Sequence, residues 1–135
     1  MLRKIRLSST KGHELIDITD ALHEELKATG IQEGMCTIVV PHTTAGLTIT
    51  SYHDPAGFED IIDEINRLVP TRIDFKHQYD TPSDAAGHVK SVIVGPSLTL
   101  IVSEGRLLLG HSQKVYFFEF DGPRERSVQV KFVAG

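Results

Sequence analysis

From Leu98 to Val133 the chain repeats one pattern, a short run of β-branched and aromatic residues followed by a break. The runs are Leu98 to Val102, Arg106 to Leu109, Val115 to Phe120 and Val128 to Val133, with turns at Glu104-Gly105 and Asp121 to Arg124. Residues of this kind suit a pleated, half-buried surface, and glycine or aspartate at the breaks supplies the angles that reversals need. The order predicts a C-terminal meander of antiparallel strands. Runs of strands with helices inserted between them, without regular strand–helix–strand alternation, argue against a doubly wound parallel sheet.

The first half fits the same class. Ile5 and Leu7, then Leu15, Asp17 and Thr19 against Ile16 and Ile18, alternate with period two, so two strands joined near Lys11-Gly12 read as an N-terminal hairpin. Thr19 can cap a helix of about ten residues, with Asp20 in its first turn, Leu22 and Leu26 on one face and Gly30 as a stop. Strands follow at Met35 to Val40 and Leu47 to Ile49. Asp54-Pro55 opens a second helix, because the carboxylate accepts from free backbone donors and proline loses no hydrogen bond there. Phe58, Ile61, Ile62, Ile65 and Leu68 make its apolar stripe, and Pro70 limits it. Thr71 to Pro82 has no sustained period. Ser83 can cap a third, shorter helix from Asp84 towards Val94, ended by Gly95-Pro96. The predicted architecture is mainly β with inserted helices (α+β): antiparallel sheets packed as a sandwich or flattened barrel, with helices against edges or ends.

Length and charge narrow the partners. The 135 residues read as a single domain over 1–135, with no linker, repeat or low-complexity tract. The 18 acidic side chains outnumber 14 basic ones and both are spread along the chain, which leaves no basic footprint for nucleic acid. Cys36 is the single cysteine and rules out an internal disulfide, so a reducing compartment fits best. No apolar run approaches the ~20 residues that span a bilayer, and the basic start lacks an uninterrupted apolar stretch. A cytoplasmic protein without membrane attachment is expected.

Two segments concentrate groups with chemistry. Pro41-His42-Thr43-Thr44-Ala45-Gly46 places an imidazole beside two hydroxyls between two strands, where the loop can offer donors to an anion and His42 can move a proton. It can equally be a strand connection whose threonines satisfy local backbone groups. His77, Tyr79, Asp80, Asp84 and His88 fall within twelve positions, and Asp84 and His88 lie four apart on one helix face. Two imidazoles and a carboxylate can bind a divalent metal, or Asp84 can orient His88 as an acid/base pair; solvated loop histidines are the plainer alternative. Lys90, Ser91, Arg106 and Gln113 stand near the ends of apolar segments, where they could meet a phosphate or carboxylate; read singly, each is an ordinary exposed residue. His13 and His23 read as surface residues. Cys36, on an apolar strand, reads as inert packing.

These segments, in this order, resemble the YjbQ family, described as secondary thiamine-phosphate synthases. The resemblance runs through His42-Thr43-Thr44-Ala45, Asp54-Pro55, His77, Asp84, His88-Val89-Lys90-Ser91, Gly95-Pro96-Ser97, Gly105-Arg106-Leu107, Gly110, Gln113 and Glu119-Phe120-Asp121-Gly122-Pro123-Arg124. It implies a β-rich homotrimer with a site near subunit boundaries. It also implies an enzyme acting on a small phosphorylated metabolite, coupling a pyrimidine pyrophosphate to a thiazole phosphate. In that scheme His42, His88 and Asp84 serve as acid/base groups. Thr43, Thr44, Lys90, Ser91, Arg106 and Gln113 hold phosphate, and His42, His77 and His88 gather round zinc, manganese or magnesium, with no organic cofactor. A trimer that binds a metal ion or anionic metabolite without turnover is the alternative. The chain departs from the family pattern at Thr50-Ser51-Tyr52-His53, at Gly110-His111-Ser112-Gln113 and at Tyr79-Asp80-Thr81-Pro82, places where its substrate can differ.

Overall fold

The period-two runs become eight strands, and the computed structural model describes every residue from Met1 to Gly135. In chain order the elements are β1 (Arg3–Ser8), β2 (Glu14–Asp17), α1 (Thr19–Thr29), β3 (Gly34–Val39), β4 (Ala45–Ser51), α2 (Pro55–Leu68), α3 (Pro82–Val94), β5 (Ser97–Ser103), β6 (Arg106–Leu107), β7 (Gln113–Glu119) and β8 (Glu125–Ala134). All pairings are antiparallel. One sheet has the order β1-β8-β3-β5-β6 and the other β2-β7-β4. Cys36, Ile38, Val102, Val128 and Val130 of the larger sheet meet Leu47, Val115 and Phe117 of the smaller across one core, into which α1 inserts Leu22 and Leu26. The expected sandwich is therefore present.

The expected N-terminal hairpin and C-terminal meander do not form. β1 pairs with β8, with Ile5 opposite Val128, whereas β2 pairs with β7, with Ile16 opposite Phe117; residues 9–13 therefore cross from one sheet to the other. Residues 120–124 cross back in the same way, and only β5 and β6 form a local hairpin. A turn signal marks a reversal but not the partner of the strand that follows, which the shared core selects. The two crossings lie against each other: the Ser9 amide donates to Arg124 O at 2.9 Å and the Gly122 amide to Gly12 O at 3.0 Å.

β7 lies between β2 and β4 and is buried on both faces, which explains its unbroken apolar run. Val115 and Phe117 face the main core. Phe118 and Phe120 pack with Ile61, Ile62 and Ile65, and the Phe58 ring meets the Tyr116 ring edge-on at 5.2 Å. Thus α2 covers a face of the small sheet, rather than an edge or end as expected. Two caps also differ from expectation. Ile18 precedes α1 and Asp17 accepts from the Thr19 amide at 2.9 Å, because the Thr19 hydroxyl is spent accepting from the Val115 amide at 2.8 Å. Thr81, not Ser83, caps α3, accepting from the Asp84 amide, and the helix begins at Pro82. Asp54 and Pro55 open α2 as expected. No helix is long and apolar enough to cross a membrane.

The crossings generate a paired test. A Cβ on Gly122 would sit 2.2 Å from Lys11 O and 2.6 Å from Ser9 Oγ, whereas one on Gly12 would meet nothing within 4 Å. Gly122→Ala should lower unfolding stability by about 1–3 kcal/mol in urea titration, and Gly12→Ala should stay within about 0.5 kcal/mol of the parent.

Candidate functional site

Small residues bring the site together. Ala85, Ala86, Gly87 and Ser91 form the face of α3 that is buried along β4. A Cβ on Gly87 would stand 3.1 Å from Thr44 Cγ2, and Ser91 Oγ donates to Ala45 O at 2.8 Å. This close approach delivers His88 to the 41–44 loop, where its Nδ1 lies 3.1 Å from Thr43 O. Asp84, one helical turn earlier, is held by the Thr81 cap and places Oδ2 3.1 Å from His88 Nε2. His77 reaches the same Oδ2 from the 70–81 loop, its Nε2 at 3.2 Å and its ring edge-on to that of His88. One ligand atom from each of the three lies within 4.8 Å of the others.

The tautomer at His88 follows from its contacts. A carbonyl oxygen only accepts, so Nδ1 carries the proton and a neutral ring presents the lone pair of Nε2 to Asp84. A second-partner hydrogen bond of this kind commonly orients a metal-bound histidine.

His42 is not in this group. Its Nε2 accepts from the Ser127 amide of β8 at 3.0 Å, an amide that β3 no longer covers because its pairing with β8 ends at Val39 opposite Gln129. The proton of the neutral ring is therefore on Nδ1. Burial, followed by the nearby Arg126 charge, holds the His42 pKa below the ordinary histidine value. His42 instead lines, with Thr43, Asp80, Asp84, Arg124 and Arg126, a polar cleft of about 300 Å³ beside the histidine pair.

Most of the residues expected to hold phosphate lie elsewhere. The Lys90 side chain is fully buried and donates to His13 Nε2 at 2.7 Å and Asn66 Oδ1 at 2.6 Å; burial pulls its pKa down to about 8. His13 is thus a partner of Lys90 rather than a surface residue, and burial, then the Lys90 charge, lowers its own pKa. Ser91 is spent on Ala45 O, and Thr44 accepts from Arg126 and Phe120. Arg106 and Gln113 line a separate cleft with His23 and His111. Two segments that depart from the family pattern meet there: Tyr52 Oη donates to His111 O at 3.1 Å, and His53 Nε2 lies 3.0 Å from Ser112 Oγ.

Arg126 is absent from the sequence-derived candidates and Glu119 enters only through the tail motif, yet Arg126 lines the polar cleft and the fully buried Glu119 holds it from behind. Arg126 Nε donates to Glu119 Oε1 at 2.8 Å, Nη2 donates to Oε2 and to Thr44 Oγ1, and Ser9 Oγ donates to Glu119 Oε1 at 2.6 Å. Burial acts to raise the Glu119 pKa, but hydrogen bonds from Arg126, Ser9 and the Asp121 amide outweigh it and hold the carboxyl below its usual range. The signal was strand phase. Glu119 alternates with Val115 and Phe117, and Arg126 with Val128, Val130 and Phe132, so both charges occupy inward-facing positions.

The chain and its fold both resemble known proteins. Residues 3–135 match the family model described as UPF0047 protein YjbQ-like. The chain is 41% identical to the UPF0047 protein MJ1081 of Methanocaldococcus jannaschii over 98% of this chain and 94% of that one. It is 40% identical to YugU of Bacillus subtilis over 98% and 99%. The crystal structure of hypothetical protein APE1520 from Aeropyrum pernix superposes with TM-score 0.93 at 31% identity, covering 100% of this chain and 99% of the other. A YbjQ-like protein of unknown function from Sulfolobus solfataricus gives 0.93 at 30%, covering 100% and 97%.

The buried lysine yields a pH test. Its folded pKa, about 8, lies below its ordinary value of 10.5, so between these the unfolded chain binds more protons and stability rises with pH. Stability measured by denaturant titration from pH 7.5 to 10.5 should rise for the parent relative to Lys90→Met, and a constant difference would place Lys90 in water.

Proposed function

The chain belongs to the YjbQ-like UPF0047 family, and on that premise we propose that it is a divalent-metal-assisted enzyme acting on a small phosphorylated metabolite. The reaction we propose is the one the family resemblance implies, in which a pyrimidine pyrophosphate couples to a thiazole phosphate and pyrophosphate departs. One observation carries the metal. His77 Nε2, Asp84 Oδ2 and His88 Nε2 converge, and His88 has committed its proton to Thr43 O. A lone pair facing a carboxylate oxygen at 3.1 Å is repulsive unless a cation lies between them or the ring becomes imidazolium. A divalent ion satisfies all three atoms together. Two imidazoles and a carboxylate suit zinc, with a position left for water or substrate, and manganese or magnesium with more oxygen ligands.

In this reading His77, Asp84 and His88 would hold the ion, which would supply Lewis-acid stabilisation of charge on the departing pyrophosphate. Thr43 fixes His88 through its carbonyl. His42, with a proton on Nδ1 and a depressed pKa, is the acid/base candidate outside the ligand set.

Elemental analysis of untagged, chelator-free protein should find about one divalent ion per subunit, lost at acid pH as protons compete with the ion for its ligands. His77→Ala and His88→Ala should each reduce occupancy about tenfold or more, whereas His23→Ala, in the separate cleft, should not. A screen of phosphorylated and pyrophosphorylated metabolites for phosphate or pyrophosphate release, with His88→Ala as control, tests turnover. Metal uptake without turnover of any of them would leave the binding-protein alternative.

A homotrimer is part of the same proposal. Met35 pairs in register with Ile101 on one side and Val133 on the other, and all three are more than half exposed on the outer face of the large sheet. Light scattering at micromolar concentration should give three times the chain mass. A monomer would remove the shared-site scheme.

A further inference from the structure

The polar cleft is bounded by the 41–44 loop, the start of α3 and the crossing from β7 to β8, and Pro41 apart, every residue lining it is polar. Its two guanidinium groups are held in the same manner. Arg126, its side chain 5% exposed, spends Nε and Nη2 on Glu119 and Thr44. Arg124 spends Nε on Asp121 O and Nη2 on Asp121 Oδ2, both at 2.8 Å. In each, Nη1 has no partner in the chain. Since no buried side-chain nitrogen or oxygen lacks a partner, both Nη1 groups are open to solvent, on two residues that line the cleft. His42 Nδ1 carries a further proton in the same wall.

Two arginines immobilised through one edge and free on the other form a rigid donor set suited to phosphate oxygens. The charge around them is nevertheless balanced. Glu119 neutralises Arg126, Asp121 neutralises Arg124, and Asp80 and Asp84 add two carboxylates to the cleft. Without a cation at Asp84, an anion entering the cleft therefore meets net negative charge. Asp84 is the exception that can change, because it belongs both to this wall and to the group of metal-ligating side chains.

We propose that the cleft seats a phosphate group on Nη1 of Arg124 and Arg126, and that a divalent cation on His77, Asp84 and His88 makes it competent by reversing the charge at Asp84. This deepens the metal reading above and rests on it for the cation's part. The seat replaces the one expected from Lys90, Ser91, Arg106 and Gln113. By linkage, phosphate and cation each tighten the binding of the other by the same factor.

Titration calorimetry with inorganic phosphate, on manganese-loaded and on chelator-treated protein, tests this. Phosphate should bind at least about tenfold more tightly to the loaded form. Arg124→Gln and Arg126→Lys should each weaken it about tenfold, the usual scale of a charge-assisted hydrogen bond, with manganese stoichiometry unchanged. Asp84→Asn, which removes a ligand and a repelling charge together, should bind phosphate more tightly than chelator-treated parent. If Arg126→Lys does not fold, the half-exposed Arg124 carries the test. Equal phosphate affinity in parent and Arg124→Gln overturns the seat. A parent that takes up no manganese overturns the cation's part, and the Asp84→Asn and Arg124→Gln titrations still decide the seat.

Discussion

The buried pair of Glu119 and Arg126 is the constraint on which the arrangement depends. Glu119 ends β7 in the small sheet and Arg126 lies in β8 of the large one, so their bond closes the crossing between the sheets. Ser9 brings the other crossing to the same carboxylate, and Thr44 brings the loop that receives His88. Desolvating two charges costs several kcal/mol per ion, and only a nearly complete set of partners offsets this. Here the carboxylate accepts from Arg126, Ser9 and the amides of Phe120 and Asp121. An apolar pair of equal volume could serve stability as well. It could not fix the direction of the guanidinium edge that faces the cleft, and this is a reason to keep charge in the core.

A second constraint is the close contact of α3 with β4. The helix can lie this near only because the residues at the contact are alanine, glycine and serine, and the Thr43 carbonyl then falls within reach of His88. The cluster proposed to hold a metal thus combines a rigid part, Asp84 and His88 on one helix face, with His77 from an irregular loop. Bond geometry at the first two is set by the helix, and at the third by whatever holds the loop.

The parts of the fold that depend on local chemistry were legible in the chain. The Asp54-Pro55 helix start, the stop at Gly30, the runs of β3, β5 and β8 and the four-residue spacing of Asp84 and His88 all follow from properties of neighbouring residues. The hairpin and the meander did not hold because the shared core, not the turn, selects each strand's partner, and the Ser83 cap failed in a choice between two equally local hydroxyls. Thr81 and Ser83 can both cap; α3 began at the first, with Pro82 already in its opening turn. Lys90 read as an exposed cation because lysine usually is one. Its position four residues after Ala86, on the buried face of α3, was the available sign that it is not.

The sequence by itself determined a mainly antiparallel β domain with three inserted helices, and it brought Asp84 and His88 together, since period and capping act over a few residues. It also held, in strand phase, the two inward charges at positions 119 and 126. Only the tertiary structure decided that His77 joins Asp84 and His88, that His42 turns away to the Ser127 amide, and that Arg124 and Arg126 rather than Lys90 and Arg106 face the cleft. Those outcomes depend on which sheet each strand enters and on which buried polar group needs a partner there. Both are properties of the whole packed core and of no segment alone.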